Sequence, residues 1–515
     1  MNRIQGKGKV YLVGAGPGRI DLITVRGLEL LKRADCVIYD KLANPALIRY
    51  ARPDAELIAA PKRVCRKACC AGEESLTQQQ INNLLVEKAS QGKTIVRLKG
   101  GDPYIFGRGT EEAIVLAQAG IDFEVVPGVT AAVAASAYAG IPITDRNLAS
   151  EVIFVAGHEA EGKLKTNIDW QLLARFSGTI VFYMGMGNLE AITNRLIENG
   201  MSSDTPAAVV ADATLPTQRI AKSTIAAIAG ECDKKQIGPP ALVFIGPTAA
   251  GDARLDWLSK MPLFGKAIVV TRDAEGNAEF AAKITDKFAL PVELPGTRIK
   301  ALTDSNTFLQ TLSKIHSYDW LIFTSPNGVE TFFAAVAELN KDARVFGSVK
   351  IACVGGETAA TLARFGLKAD FVPDEFTSKD LARGLIESTN LHGRKVLLLR
   401  SLLATDDLPQ LLAKAGAVVD NVPIYTHEKN LCDLKAFSEM LAEKHIGWLT
   451  FASPFAATCF FEQVPVDFVK SGGAKIASIG PVTSKRLAEL GVKVDVEASD
   501  HTIGGLLAAI EAFYG

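Results

Sequence analysis

VYLVGAGPG, Val10 to Gly18, reads as a short apolar strand that runs into a glycine-rich turn, the junction that opens an α/β unit and lets a ligand approach the backbone closely. A dinucleotide fold needs G-x-G-x-x-G at this point. Here the glycines are Gly14, Gly16 and Gly18, with Pro17 between the last two and Arg19 at the final position. Pro17 lacks the N–H that a pyrophosphate would use. Asp40 closes the next strand, where a dehydrogenase carries its ribose-binding acid, so a nicotinamide reading survives on Asp40 and is opposed by the loop spacing.

Outward from this stretch, short β-branched runs alternate with segments of helical length: Cys36 to Tyr39, Thr94 to Leu98, Phe123 to Val126, Val152 to Ala156, Thr179 to Met184, Ala207 to Ala211 and Ala241 to Ile245. The alternation predicts an α/β fold. The uncharged run Val125 to Thr144 approaches membrane-spanning length. Pro127 and Gly128 break one end and Gly140 and Pro142 the other, so it predicts a buried alanine-rich helix. After Ile245 the text changes to GPTAAGDARLDWLSKMPLFGK, without a sustained period, until a new strand begins at Ala267. A linker is expected over residues 247–264.

A chain of 515 residues suggests about three to four packing units. With 48% apolar and 22% charged residues every segment can bury a core, which excludes a disordered or low-complexity chain. Lys plus Arg number 56 and Asp plus Glu 57, a net charge of −1. No overall field draws in nucleic acid or an anionic membrane, so an anionic ligand must be held by local cations. The N-terminal apolar run is too short for a signal peptide, and a cytoplasmic location is expected. Cys65, Cys69 and Cys70 cluster, yet without a second CxxC or a nearby histidine they make no zinc site; neither metal nor a disulfide framework is expected.

The second half repeats itself. FTSP at Phe323 to Pro326 returns as FASP at Phe451 to Pro454, and VGGETAATLARFGLKADF from Val354 returns as IGPVTSKRLAELGVKVDV from Ile479. VVTR ending at Arg272 matches LLLR ending at Arg400, and Thr377 matches Thr502. Two similar lobes follow. Ser325-Pro326 and Ser453-Pro454 have the form of an N-cap with proline at the first helical position. Gly355-Gly356 and Gly480-Pro481 open further helices. Free N–H groups at such ends favour anions, and two facing lobes would suit a polycarboxylate.

GAGPG at Gly14 to Gly18, the VIYD run ending at Asp40, RLKGGDPYIFGRGTEE from Arg97 to Glu112, VVPGVTAA from Val125 to Ala132, GIPIT from Gly140 and VFYMG ending at Gly185 together resemble the uroporphyrinogen-III C-methyltransferases of the tetrapyrrole methylase family. The back half resembles uroporphyrinogen-III synthase, through its duplicated lobes and the VPIYT segment, Val422 to Thr426. The resemblance implies a two-lobed methylase domain over residues 8–246, then a duplicated two-lobed α/β domain over 265–515. Within the latter, residues of about 265–300 are expected to pack with 428–515, around a central lobe of 303–423.

For the methylase the resemblance implies S-adenosylmethionine held between loops, with Pro17, Gly100, Gly101, Asp102, Ile105, Thr130, Ala131 and Met184 as contacts. Ala213 stands where the family has a glycine, and a backbone contact there requires a negative φ. Asp102 can accept from ribose hydroxyls, while Ile105 and Met184 can flank the adenine or the thioether arm. Asp40 matches the family's proton acceptor and Lys62 its proton donor. The competing reading of Lys62 is a solvated basic turn with Arg63, Arg66 and Lys67. Uroporphyrinogen III carries many carboxylates, so Arg63, Arg97, Lys99, Arg108 and Arg146 are candidate clamps; Arg108 could instead pair with Glu111 or Glu112.

For the synthase half the resemblance implies no cofactor. Tyr425 is expected to donate a hydrogen bond to the departing hydroxyl of hydroxymethylbilane, its alternative being a buried strand tyrosine with a satisfied hydroxyl. Ser325, Ser453, Thr483 and Arg272 are expected substrate-carboxylate contacts. The combined expectation is a bifunctional enzyme that closes hydroxymethylbilane with inversion of ring D. It then methylates the product at C-2 and C-7 to precorrin-2, for sirohaem or cobalamin, as a homodimer through its methylase domain. The alternatives are a methylase of another substrate with a non-catalytic ligand-binding back half, and an NAD enzyme.

Overall fold

In the computed structural model, residues 8–60, 76–157, 168–375, 377–431, 434–443 and 445–514 are described. The chain divides into two compact units. One reaches to Lys266 and includes Thr285–Leu290; the other comprises Ala267–Ile284 and the chain from Pro291 onward.

The first unit is built on two sheets. In spatial order the first runs Glu56–Ala59, Cys36–Tyr39, Ile95–Lys99, Val10–Gly14 and Phe123–Val126, parallel throughout. Its central strands are buried on both faces because helices cover both, as parallel sheets require: Val10, Leu12, Ile95 and Leu116 pack on one side and Val13, Leu31, Val96 and Leu98 on the other. The second sheet runs Val152–Ala156, Thr179–Tyr183, Ala241–Ile245, Pro206–Ala211 and Arg219–Thr224, with only the first pair parallel. The alanine-rich run forms the helix Ala131–Ala139, stopped by Gly140 in the left-handed region at φ 62°. Its small side chains let it lie close on the second sheet, against Val181, Tyr183, Ala208 and Val210. Among the described residues no helix is long and apolar enough to cross a membrane.

Residues 247–264, expected as a linker, are ordered as short helical turns at Pro247–Ala250 and Ala253–Leu255. The Trp257 indole Nε1 donates to the Ala137 carbonyl, 3.0 Å, docking this stretch on the alanine-rich helix. It is part of the first unit.

In the second unit one sheet runs Leu290–Glu293, Ala267–Val270, Ile446–Phe451, Lys475–Ser478 and Val496–Glu497. The other runs Thr297–Ala301, Val418–Lys429, Lys395–Ser401, Trp320–Phe323 and Lys350–Cys353. The chain thus enters one lobe, completes the other and returns. The duplication is visible in single contacts: the Ile351 and Ile476 amides each donate to an aspartate nineteen residues on, Asp370 and Asp495, both at 2.8 Å. Thr377 and Thr502 both cap their helices, accepting from Asp380 N and Gly505 N. Cys36, Cys232, Cys353 and Cys459 are buried. Burial pushes the Cys36 and Cys232 thiols up to about 11 and Cys353 up to about 12, so these three are core hydrophobes and not nucleophiles. Cys65, Cys69 and Cys70 lie outside the described residues.

Candidate functional site

Three loops at the carboxyl ends of the first sheet meet on glycines. Gly16 and Gly101, in the left-handed region at φ 78° and 67°, exchange backbone hydrogen bonds of 3.3 and 2.7 Å. A Cβ on Gly14 would lie 2.5 Å from Gly128 Cα and 2.7 Å from Gly101 O; one on Gly128 would lie 2.3 Å from Gly101 O. No side chain fits between these backbones, so the loops after Val10–Gly14, Ile95–Lys99 and Phe123–Val126 are locked into one floor. Asp102 ties it further: Oδ1 accepts from Tyr104 N (2.8 Å) and Oδ2 from Gly128 N (3.0 Å). Its carboxylate braces the loops and retains lone pairs for a hydroxyl.

The second sheet closes on this floor. Tyr183, at the end of Thr179–Tyr183, shares a hydrogen bond with Thr130 Oγ1 (2.7 Å) and accepts from Ala132 N (3.0 Å), so the hydroxyl binds the start of the alanine-rich helix. Phe106 packs against its ring, centroids 4.9 Å apart and the planes tilted by 50°. Met184 follows at φ 55° and 53% exposure, and in the loop joined here through Phe106, Tyr104, Ile105 and Phe106 are exposed too; apolar side chains this open at a loop cluster are what a planar ligand needs. On the other flank Arg19 N donates to Thr214 Oγ1, 3.0 Å, and Gly18 is so close that a Cβ would sit 3.0 Å from Ala213 O. The left-handed residues of that turn are Asp212 (φ 48°) and Thr214 (φ 73°); the alanine between them escapes the conformation that would have required glycine. Tyr183→Phe leaves the Ala132 amide without its acceptor and should cost about 1–3 kcal/mol. Denaturant unfolding of the first unit measures this. Thr130→Val added to it should cost less than on its own, and simple additivity would contradict the shared hydrogen bond.

Asp40 stands at the rim of the same floor with its Oδ1 on Arg97 Nη2. Arg97 and Lys99, expected as clamps for substrate carboxylates, have 0% exposure and are turned inward: Arg97 Nε and Lys99 Nζ lie 3.3 and 2.9 Å from Glu112 Oε1. They are two apart on a central strand, hence on one face, and that face is covered by the helix Gly109–Gln118 that carries Glu112. A bound ligand cannot reach them. Burial alone would push the Arg97 guanidinium down, but the facing Asp40 and Glu112 outweigh it and raise it. Arg108 is exposed and bidentate to Glu111, both contacts 2.7 Å. Arg146 is exposed. Lys62 and Arg63 lie outside the described residues.

In the second unit Tyr425 is 3% exposed with its hydroxyl 2.8 Å from Ser325 Oγ. Ser325 caps the helix Pro326–Glu338, accepting from Gly328 N at 3.1 Å. Ser453 caps Pro454–Phe461 in the same way through Ala456 N. Burial pushes the Tyr425 phenol up, keeping it protonated. Two residues along the strand, His427 packs between Tyr425 (centroids 5.5 Å) and Phe455 of the other lobe (6.3 Å). Burial holds its imidazole below the ordinary value, Asp273 raising it and Arg272 lowering it further. The Arg272 amide is fixed by Asn277 Oδ1, 2.8 Å. Thr483, expected to meet a substrate carboxylate, is 2% exposed. As the third residue of Pro481–Glu489 its side chain turns into the lobe, as does its repeat partner Thr358.

Tyr183, Thr214 and His427 were not singled out in the sequence, and Glu112 stood there only as an alternative partner of Arg108. A tyrosine closing an apolar strand and a glutamate in a charged helix turn look like packing and solvated surface until their partners are known.

A family model described as Tetrapyrrole (Corrin/Porphyrin) Methylases matches residues 9–229, and one described as Uroporphyrinogen-III synthase HemD matches residues 278–508. The chain is 37% identical over 446 residues to the Porphyrin biosynthesis protein HemD of Ruminiclostridium josui, covering 87% of each. It is 40% identical over 341 residues to the Uroporphyrinogen-III C-methyltransferase of Bacillus subtilis (strain 168), covering 66% of this chain and 68% of that one. A similar solved structure is the uroporphyrin-III C-methyl transferase of Thermus thermophilus complexed with S-adenyl homocysteine, at 35% identity and a TM-score of 0.40, covering 47% of this chain and 98% of that one.

Proposed function

The chain belongs to the family that joins a tetrapyrrole methylase to a uroporphyrinogen-III synthase, and from that premise we propose which residues carry each reaction. The protein is a bifunctional uroporphyrinogen-III synthase and S-adenosylmethionine-dependent uroporphyrinogen-III C-methyltransferase, supplying precursors of sirohaem and cobalamin. The proposed domains are residues 8–246 and 265–515. A homodimer through the first unit and a cytoplasmic location follow from the resemblance.

The observation that carries the methylase assignment is the convergence of loops from both sheets, through Gly14, Gly101 and Gly128 on one side and Tyr183 and Thr214 on the other. S-adenosylmethionine, when bound, supplies an electrophilic methyl group on a sulfonium. Pro17, Gly100, Gly101, Asp102, Ile105, Thr130, Ala131, Met184 and Ala213 would hold it: the glycines by close approach, Asp102 through ribose hydroxyls, Ile105 and Met184 by apolar cover. The pyrrole carbon is electron-rich, so orientation supplies most of the barrier reduction. Asp40, fixed at one oxygen by Arg97, has its other oxygen for the proton released as two methylations, at C-2 and C-7, lead to precorrin-2. Arg108 grips a substrate carboxylate by exchanging it for Glu111. That exposed pair is worth about 0.2–1 kcal/mol, whereas breaking the buried Arg97 pair would cost about 3–5 kcal/mol; of these two arginines Arg108 is the one that can be recruited. Lys62 and Arg63 complete the proposal as proton donor and clamp, on the resemblance.

In the synthase half the pair Tyr425–Ser325 is the proposed proton donor. With Tyr425 donating to Ser325 Oγ, the Ser325 proton is available to a third acceptor, the hydroxyl that leaves hydroxymethylbilane. Ser325 and Ser453 stand at helix starts where substrate carboxylates are favoured, with Arg272 as their counter-ion. Tyr425→Phe and Ser325→Ala should each lower ring closure by about 10²-fold while methylation of supplied uroporphyrinogen III is unchanged. Equal loss of both activities would contradict the assignment. The deciding assay supplies hydroxymethylbilane anaerobically, with and without S-adenosylmethionine, and follows uroporphyrinogen III and then precorrin-2 by absorbance and mass.

A further inference from the structure

Arg97, Lys99 and Glu112 are charged, fully buried and beyond the reach of substrate, so they serve neither as clamps nor as surface. Glu112 Oε1 receives Arg97 Nε at 3.3 Å, Lys99 Nζ at 2.9 Å and Gln78 Nε2 at 3.1 Å. Arg97 spends its other nitrogens on the Ile38 and Leu98 carbonyls, 3.3 and 3.4 Å, and on Asp40. Two cations face two carboxylates, and the cluster is neutral only with Asp40 charged. Among the described residues Glu112 Oε2 and Gln78 Oε1 have no partner. A half-satisfied buried ion network stabilises a fold less than apolar side chains of the same volume would. Its position beneath a proposed base therefore points to a use other than holding the sheet together.

We infer that Glu112 is a positioning residue for methyl transfer: it fixes the plane of the Arg97 guanidinium, which fixes one oxygen of Asp40 and leaves the other aimed at the substrate. The guanidinium is a rigid fork. Anchored at Nε by Glu112 and at Nη1 by two carbonyls, it has no freedom left at Nη2, and Asp40 inherits that fixed direction. A general base contributes only when held within hydrogen-bond reach of the proton it takes. The inference rests on the reading of Asp40 as the base, and its test separates the two.

The full chain is assayed for methylation of supplied uroporphyrinogen III, and S-adenosylhomocysteine binding is followed by calorimetry as a measure of an intact floor. Glu112→Gln keeps the shape and an acceptor but removes the charge that holds Arg97. It should lower kcat about 10- to 100-fold, with KM for S-adenosylmethionine and product affinity within about twofold. Asp40→Asn/Glu112→Gln should be no slower than Asp40→Asn alone, because Glu112 acts only through Asp40. Multiplying losses, or a kcat for Glu112→Gln within about threefold of the unsubstituted chain, overturn the inference. If Asp40→Asn itself retains turnover, the reading of Asp40 fails, which is a separate outcome. Glu112→Gln/Lys99→Met restores neutrality; should only that variant bind S-adenosylhomocysteine, its kcat carries the test. Loss of binding in both overturns the inference by making the network a fold element alone.

Discussion

Asp40→Asn is expected to lower methylation by about 10²–10⁴-fold while ring closure of hydroxymethylbilane proceeds unchanged. The substituted side chain keeps its shape and can still accept from Arg97, so the floor formed by Gly14, Gly101 and Gly128 persists. What disappears is a carboxylate able to take a proton. Replacing a charge-assisted hydrogen bond by a neutral one should cost about 2 kcal/mol of first-unit stability, because Glu112 then faces both Arg97 and Lys99 as the only remaining anion of the four. S-adenosylhomocysteine affinity separates the two effects: it should be retained while turnover is lost. Methylation within tenfold of the unsubstituted chain would remove Asp40 from the mechanism.

Gly128→Ala should weaken binding of S-adenosylhomocysteine by about 100-fold or more. Its Cβ would come within 2.3 Å of Gly101 O and 2.7 Å of Gly14 Cα, both backbone atoms of different loops, so no rotamer change relieves the clash and a loop must move. Overpacking of this kind costs about 1–3 kcal/mol even where side chains can yield; here the upper end or more is expected. Every 1.4 kcal/mol lost at the site weakens binding about tenfold. Gly230→Ala, in the helix Ile228–Lys234 and with open space around its Cβ, is the control. It should leave binding unchanged and stabilise slightly, since alanine favours a helix over glycine by about 0.5–1 kcal/mol. Tight binding in both variants would mean that the three-loop junction is not the ligand floor.

Most strands of the first unit were legible because they are short, nearly continuous apolar runs, several of them ended by glycine or proline, and the observed limits lie within a residue or two of those read from the sequence. Two were missed. Glu56–Ala59 and Arg219–Thr224 are edge strands; the first alternates in exposure and the second is largely polar and half-exposed, and four to six such residues do not stand out from a loop. The duplicated caps were legible too: serine before proline needs only its own helix to explain it. Arg97 and Lys99 were misread because a basic residue in a motif looks available until the neighbouring helix is placed. Thr483 was misread for the same reason, one turn inside its helix.

The sequence by itself determined the local grammar: which runs become strands, where glycine must stand, that the back half is a repeat, and the family whose chemistry the motifs carry. Direction and company were left to the tertiary structure. It turned Arg97 and Lys99 inward onto Glu112, set Tyr183 across two loops, and packed residues 247–264 onto the alanine-rich helix. The physical reason is range. Backbone preference, capping and periodicity act over a few neighbouring residues, whereas burial and charge pairing depend on segments distant along the chain, such as Glu112 beneath Asp40 or Tyr425 beside Ser325, brought together only when the sheets close.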